Sequence, residues 1–230
     1  DLAQIPLLAK DRERDMPFVI GGGPCTYNPE PLADFFDLFY IGEGETSYDA
    51  LLDLYKEWKK GDASREAFLH QAAKIPGIYV PSLYEVSYKE DGTLASMEPV
   101  YDDIPRKIEK QVVTELTASV YPDKPVVPFL KVTQDRVVLE VQRGCIRGCR
   151  FCQAGMIYRP LREKDVERLK RQADIMLANT GYEEISLSSL STSDYRELED
   201  LINYLIEHHG KEHVNISLPS LRVDAFTLEV

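Results

Sequence analysis

The chain has 230 residues, of which 43% are hydrophobic and 29% charged, with a formal net charge of −12. These values exclude disorder along the whole chain, and the acidic balance excludes non-specific nucleic-acid binding by the whole surface. No apolar run approaches the ~18 residues of a membrane-spanning helix, and no secretory signal opens the sequence. Because the first residue is Asp1, in a helix-like phrase, we expect the chain to be part of a larger protein.

The first third of the chain predicts an open α/β sheet. A short apolar strand, Met16–Ile20, runs into three glycines, and a second strand covers Phe36–Ile41. A helix begins at Thr46, with apolar residues at helical spacing, and ends at Gly61. Residues 1–75 are too short to form such a domain alone, so we expect them to be its closing part.

Residues 76–136 differ in character. Ile78–Val80 and Leu83–Tyr88 are predicted strands, and Glu90–Gly92 is the turn that follows. A stretch punctuated by prolines comes next. We therefore predict a small β element and a proline-rich connector.

From residue 137 the pattern predicts a βαβαβ unit. Strands are expected at Val137–Val141, around Ile185 and around Ile216. The first helix covers Lys164–Asn179, and the second ends at Gly210 after an apparent capping box formed by Asp194 and Glu197. Such units build parallel sheets and (β/α) barrels, so residues 137–230 are predicted to be the first half of a partial barrel. The predicted fold class is α/β, and we expect the chain to be truncated at both ends.

Three of the four cysteines, Cys145, Cys149 and Cys152, form a C-x3-C-x2-C run directly after the first strand of this unit. Thiolates bind soft metals and iron–sulfur clusters, and three of them leave one iron of a cubane cluster open. A structural zinc site would need a fourth ligand, which neither Cys25 nor the histidines supply at a customary spacing. An electron-transfer cluster would ordinarily use four cysteines. Cysteines in this arrangement favour a metal over a disulfide framework and suggest a cytoplasmic protein.

The run resembles the signature of radical S-adenosylmethionine (radical SAM) enzymes, with aromatic Phe151 before the last cysteine. The resemblance implies that Cys145, Cys149 and Cys152 hold a 4Fe-4S cluster whose fourth iron binds S-adenosylmethionine (SAM). It also implies reductive cleavage of SAM to a 5′-deoxyadenosyl radical, with electrons from a flavodoxin or ferredoxin.

Longer phrases resemble an uncharacterised radical SAM subfamily that has a cobalamin-binding-type domain in front. These phrases are Arg143–Pro160, Gly181–Ser191 and Ser217–Arg222 in the rear part, and Gly21–Pro24, Asn28–Pro31 and Phe39–Glu45 in the front part. The resemblance implies a cobalamin-binding-type identity for residues 1–75 and cobalamin as a further cofactor, with Gly22 and Gly23 near its tail. A tight turn is the alternative interpretation of these glycines. The histidine loop that ligates cobalt would precede Asp1.

In one segment the sequence differs from the radical SAM pattern at residues that would contact SAM. Where most radical SAM enzymes have a Gly-Gly-Glu phrase, this sequence has Ser188, Ser189 and Leu190. Hydroxyl groups can replace some of the hydrogen bonds of that phrase. Ser188, Ser189, Phe151 and Arg222 are therefore the expected SAM contacts.

Nine basic and three acidic residues lie between Arg143 and Arg171, a net of +6 in an otherwise acidic chain. This island could face an anionic cofactor or substrate, or its arginines could face solvent on the helix near Lys164. His208 and His209 are interpreted as structural residues at a helix end.

The sequence therefore predicts a radical SAM enzyme, with radical methyl transfer as an extension if cobalamin is bound. The substrate is not identified, RNA and protein being two candidates, and no membrane partner is expected. The alternatives are a metal-stabilised nucleic-acid-binding module and an iron–sulfur electron carrier.

Overall fold

The computed structural model describes residues 3–225, which form two compact units. One unit ends at residue 113 and the other begins at residue 114. In the described part of the chain, no helix combines the length and apolar character needed to cross a bilayer.

The first unit contains a three-stranded sheet of β1 (Ile20–Gly21), β2 (Leu38–Tyr40) and β3 (Ile78–Tyr79). Central β2 is parallel to β1 and antiparallel to β3, and all three of its residues are buried. The predicted strand at Met16–Ile20 is therefore shorter than expected and shifted, reaching only Ile20 and Gly21. Phe18 packs against the core of this unit as a partly buried residue, although it does not pair in the sheet.

Two helices cover this sheet, α1 (Tyr48–Lys60) and α2 (Arg65–Ala72). The first begins two residues later than expected and ends before Gly61, as predicted. The second was not predicted. Its N-cap is Ser64, whose hydroxyl accepts a hydrogen bond from the amide of Ala67.

A hairpin of β4 (Tyr84–Tyr88) and β5 (Leu94–Pro99) follows, with Gly92 at positive φ in its turn. Gln111 then exchanges backbone hydrogen bonds with Ile41 and Glu43, next to β2. Because β3 pairs with β2 and Gln111 lies beside β2, the compact unit extends beyond the predicted boundary at residue 75. The cobalamin-binding-type identity of residues 1–75 stays a prediction.

Up to residue 225, the second unit has five strands, and three of them form a parallel sheet in the order β10-β9-β6. Its strands are β6 (Val137–Glu140), β7 (Gln142–Arg143), β8 (Arg162–Glu163), β9 (Glu184–Ser188) and β10 (Asn215–Ser217). Its helices are the short α3 (Ala154–Ile157), α4 (Val166–Thr180) and α5 (Leu198–His209). The predicted βαβαβ order is confirmed, with α4 and α5 as the crossovers between parallel strands.

The core of this unit lies between the sheet and the two long helices. The fully buried residues of this core include Leu139, Leu169, Ile185, Leu187 and Leu201. In the strands these residues occupy alternate positions, and in α4 and α5 they recur at helical spacing. This is the pattern from which the elements were predicted.

The predicted capping box at Asp194 is wrong. Helix α5 begins at Leu198, and its N-cap Glu197 makes no side-chain capping bond. Asp194 lies instead in a 3-10 turn, Thr192–Asp194, and its carboxylate binds other groups. The stronger charge-assisted partners of that carboxylate outcompete a backbone cap.

Residues 114–136 contain a 3-10 turn at Leu116–Ala118 and no strand or longer helix. Tyr121 packs against the second core and donates a hydrogen bond to the carbonyl of Val138, 2.6 Å away. Phe129 is fully exposed. The predicted connector therefore has an irregular course, and its first part is held to β6.

Candidate functional site

The three clustered cysteines lie in a loop whose two ends are joined. Strands β7 and β8 pair antiparallel, with Gln142 opposite Glu163 and Arg143 opposite Arg162, so that residues 144–161 form the loop. Gly144 begins it with a φ of +85°, which favours glycine. A Cβ at this residue would lie 2.5 Å from the carbonyl oxygen of Pro160. Closure of the loop therefore depends on a glycine directly before Cys145.

Local hydrogen bonds order the interior of this loop. The amide of Cys152 donates to the carbonyl of Cys149 at 3.0 Å, and α3 follows. The guanidinium of Arg159 donates to the carbonyl of Arg147 at 3.2 Å. The amide of Arg147 contacts Sγ of Cys145 at 3.4 Å. These contacts fix the backbone between the first two cysteines.

The donor set is suited to a soft metal or an iron–sulfur cluster. All three thiols are free, Cys149 is exposed, and Cys145 and Cys152 are partly exposed. Within the described range 3–225, no three His, Cys, Asp or Glu side chains converge in a metal-binding group. The fit is therefore chemical: three soft ligands within eight residues of one closed loop, with open space around Gly148 between them.

The arginines of the basic island make local contacts in the second unit. Arg143 forms two hydrogen bonds with the carboxylate of Glu140, at 2.7 and 3.1 Å. Arg162 is buried and donates to the carbonyls of Pro160 and Tyr158. These two arginines therefore stabilise the base of the loop.

The predicted serine residues lie where β9 ends. Ser188, the last residue of β9, is paired in register with Glu140 of β6. The hydroxyl of Ser189 is 3.0 Å from that of Thr192, and it accepts a hydrogen bond from the amide of Ser191. Gln142, at the base of the cysteine loop, donates to the carbonyl of Ser191 at 2.7 Å. The cysteine loop and the serine segment thus meet at the carboxyl edge of the sheet.

The segment after β10 reaches the same edge. Thr192 is fully buried and its hydroxyl donates to the carbonyl of Pro219 at 2.7 Å. The amide of Arg222 donates to the hydroxyl of Ser193 at 3.3 Å. The Arg222 guanidinium pairs with Asp224 at 2.7 Å, which raises the pKa of the arginine.

Arg147, between the first two cysteines, binds Asp194 after β9. Its Nε lies 3.0 Å from one carboxylate oxygen and its terminal nitrogen 2.5 Å from the other. Ser191 donates a further hydrogen bond to this carboxylate at 2.8 Å. The hydrogen bonds from Arg147, ahead of that from Ser191, lower the pKa of Asp194.

The other predicted site residues are more scattered. Phe151 is 92% exposed in the second unit. Gly22 and Gly23 lie in the first unit, with open space at each Cβ position and a φ of +87° at Gly23. The glycine in close contact is Gly21 of β1, where a Cβ would collide with the Phe39 ring of β2. Strand pairing therefore explains Gly21, and the positive φ of a turn explains Gly23.

The histidine pair has helix partners. His209 contacts Asp174 of α4 at 2.8 Å, and His208 lies 3.0 Å from the carbonyl of Tyr204. These contacts favour the structural interpretation of both residues.

Comparison with known families decides the classification. Residues 139–230 match the family described as Radical SAM superfamily, and residues 1–81 match the one described as Radical SAM proteins, N-terminal. The chain belongs to the radical SAM superfamily. The cysteine loop of this radical SAM chain lies within the matched range 139–230.

Two individual proteins are similar to this radical SAM chain. An uncharacterized protein of Methanocaldococcus jannaschii is 28% identical over 220 residues, which are 94% of this chain and 41% of the relative. The chain thus spans less than half the length of that relative. The second is a solved structure of the radical S-adenosylmethionine methyltransferase TsrM from Kitasatospora setae, with cobalamin and a [4Fe-4S] cluster bound. The alignment covers 86% of this chain and 37% of the TsrM chain, with 15% sequence identity and a TM-score of 0.49.

Sequence reasoning about this radical SAM chain missed Gln142, Arg147 with Asp194, and Thr192 as residues that join the loops. For Asp194 a signal was present, an acidic residue among hydroxyl side chains after a strand, but it was assigned to a helix cap. The partners of Thr192, Arg147 and Gln142 are 27, 47 and 49 positions away, and local sequence patterns do not report contacts over such separations.

Proposed function

We propose that the whole protein is a radical SAM enzyme whose 4Fe-4S cluster is held by Cys145, Cys149 and Cys152. One observation carries the proposal: three free thiols share a closed loop at the carboxyl edge of a parallel sheet, inside the range matched to the superfamily. Active sites of (β/α) barrels lie at this edge, and the partial-barrel architecture is part of the proposal. When bound, the cluster and SAM supply reductive cleavage to methionine and a 5′-deoxyadenosyl radical.

The residues at this edge would bind and orient SAM. Ser188 ends β9, Ser189 follows it, and Arg222 follows β10, so polar groups after two strands adjoin the cysteine loop. Phe151 is exposed next to Cys152 and offers an apolar face. The hydroxyl of Ser189 is already engaged with Thr192, so Ser188 is the better candidate for a direct contact.

Three further elements belong to the same proposal. Cobalamin would be a second cofactor near Gly22 and Gly23, which leave open space, and it would extend the reaction to radical methyl transfer. A flavodoxin or ferredoxin would supply electrons, and free cysteines suit the reducing cytoplasm. The substrate class stays open.

The test is anaerobic iron–sulfide reconstitution of the full-length protein, followed by electron paramagnetic resonance with and without SAM. We expect a reduced 4Fe-4S signal that changes when SAM is added. Cys149→Ala should lose the cluster, whereas Cys25→Ala, a matched control at an exposed cysteine of the first unit, should keep it.

Other outcomes separate the alternatives. Full iron retention in Cys149→Ala would overturn the ligand assignment. A cluster whose spectrum ignores SAM would indicate an electron carrier, and a protein that holds only zinc and binds RNA in a salt-sensitive manner would indicate a nucleic-acid-binding module.

A further inference from the structure

We propose that Asp194 is a positioning residue that holds the cysteine loop, through Arg147, against the segments after β9 and β10. This inference rests on the proposed function, since it assigns a role toward the cluster site. It concerns two residues that belong neither to the cysteine ligands nor to the expected SAM contacts.

The geometry of the pair is directional. Both donors of one edge of the Arg147 guanidinium face the two oxygens of Asp194, one donor to each oxygen. Such bidentate pairing fixes orientation as well as distance, which a single contact does not. The Asp194 side chain is 6% exposed and that of Arg147 is 40% exposed, so the carboxylate is the anchored partner.

Arg147 is well placed to transmit this anchoring to the thiols. It stands two residues after Cys145 and two before Cys149. Its amide contacts the Cys145 sulfur and its carbonyl accepts a hydrogen bond from Arg159. With its side chain held as well, the backbone between two ligands is fixed from three directions.

Asp194 is itself held by buried groups. Its carboxylate accepts a hydrogen bond from Ser191, and its amide donates to the Ser191 carbonyl at 3.0 Å. Thr192, two residues earlier, is fully buried and bonded to the carbonyl of Pro219. The Asp194 turn is therefore part of a connection between the chain after β9 and the chain after β10.

An ion pair that served only global stability would lower the melting temperature when it is broken. The Asp194 carboxylate is buried, but Arg147 is 40% exposed, so solvent screens the pair, and its contribution to the free energy of unfolding should be less than about 1 kcal/mol. Loss of the Arg147–Asp194 pair should therefore leave the second unit folded and release the loop locally. Local release changes the exposure of the thiols without a change in global stability.

The first experiment uses the full-length protein without metal. Alkylation of each cysteine by iodoacetamide is followed by mass spectrometry under anaerobic conditions. In Arg147→Gln and Asp194→Asn we expect Cys145 and Cys149 to react at least about threefold faster. A rate increase of this size is expected when one weak ion pair that orders a loop is lost. The melting temperature should stay near that of the wild type.

Two variants give the experiment its specificity. Lys170→Gln breaks the pairs of Lys170 with Glu167 and Asp200 on α4 and α5 of the same unit, none of them a loop residue, and should leave the alkylation rates unchanged. The exchanged double variant, Arg147→Asp with Asp194→Arg, should bring the rates back toward wild type, because it restores the pair with its charges reversed. Rescue of this kind is not expected of a general loss of packing.

Unchanged alkylation in Arg147→Gln would overturn the proposal. Should Asp194→Asn fail to fold, Arg147→Gln decides alone, because its side chain is partly exposed and its loss leaves no buried cavity. Equal acceleration of all cysteines, Cys25 included, would also overturn it, since that result reports general unfolding.

A second readout uses the reconstituted protein. Asp194→Asn and Arg147→Gln should alter the electron paramagnetic resonance spectrum of the cluster, and the exchanged variant should restore it. If the wild type holds no cluster, the proposed function fails, but the alkylation rates still test the Arg147–Asp194 connection. The two failures are thus distinguishable.

Discussion

The carboxylate of Asp37 lies 2.8 Å from the guanidinium of Arg65, and both side chains are buried. The second oxygen of Asp37 binds Arg12 at 2.8 Å and accepts a hydrogen bond from the amide of Val19. One carboxylate therefore joins the N-terminal segment, the chain before β1 and helix α2. The position of α2 in the first unit depends on this ion pair as well as on its apolar residues.

Asp37→Asn should destabilise the first unit by about 3–5 kcal/mol, because it leaves two buried guanidinium groups without a counter-charge. The fluorescence of Trp58, the single tryptophan, reports unfolding of this unit in urea. Asp53→Asn, which breaks an exposed pair with Lys56 on α1, serves as the control and should change stability by less than about 1 kcal/mol. Equal effects of the two substitutions would contradict the assigned role of Asp37.

Gly144→Ala should open the base of the cysteine loop. The positive φ of this residue and the carbonyl oxygens of Pro160 and Tyr158, 2.5 and 2.7 Å from a Cβ, leave no room for a side chain. We expect faster hydrogen exchange in β7 and β8 and loss of iron after reconstitution. Gly148→Ala, also next to a cysteine, meets no atom within 4 Å and should retain slow exchange. Slow exchange in both variants would show that closure does not require the glycine.

Thr192→Val should weaken the connection between the segments after β9 and β10. The substitution keeps the shape of the fully buried side chain but removes the hydroxyl that donates to the Pro219 carbonyl. Loss of a hydrogen bond of this kind costs about 0.5–1.5 kcal/mol, which thermal unfolding followed by circular dichroism would detect. Thr114→Val, at an exposed position of the same unit, should have little effect. A melting temperature equal to that of the wild type would contradict this prediction.

Tyr79 predicts a pH dependence in the first unit. Burial, followed by a hydrogen bond to Glu30, raises the pKa of Tyr79 in the folded protein. The unfolded chain releases this proton near pH ~10, so the contribution of Tyr79 to stability is present below that pH and is lost above it.

Urea unfolding followed by Trp58 fluorescence at about pH 8 and about pH 10.5 tests this dependence. The free energy of unfolding should fall less between the two pH values in Tyr79→Phe than in the wild type. The other tyrosines are common to both proteins and cancel in the comparison. An identical fall would mean that Tyr79 titrates equally in both states.

Apolar periodicity was sufficient to predict the elements that bury apolar side chains. Val137 and Leu139 alternate in β6, and Leu169, Ala173 and Met176 repeat at helical spacing in α4. Both elements appear within two residues of the predicted bounds. The cysteine run could also be identified from the sequence, because its three residues are close together in the chain.

The features missed were those whose partners are distant or charged. In α2 the buried face includes Arg65, so its apolar pattern is incomplete, although Ser64 marks its beginning. The two-residue strands β7 and β8 are too short to have a period, and 18 residues separate them. Asp is a common N-cap residue, but the contact that Asp194 makes is with Arg147, 47 positions away. Such contacts arise from the topology of the sheet.

The joined ends of the cysteine loop have a consequence for metal capture. Once one thiol holds a metal ion, the other two are tethered within seven residues and act at an effective concentration in the millimolar range. Free thiols at micromolar concentration then compete poorly for that ion. The pairing of β7 with β8 further limits how far the thiols can separate. Part of the conformational entropy that metal binding would remove from the loop is therefore already lost when the chain folds.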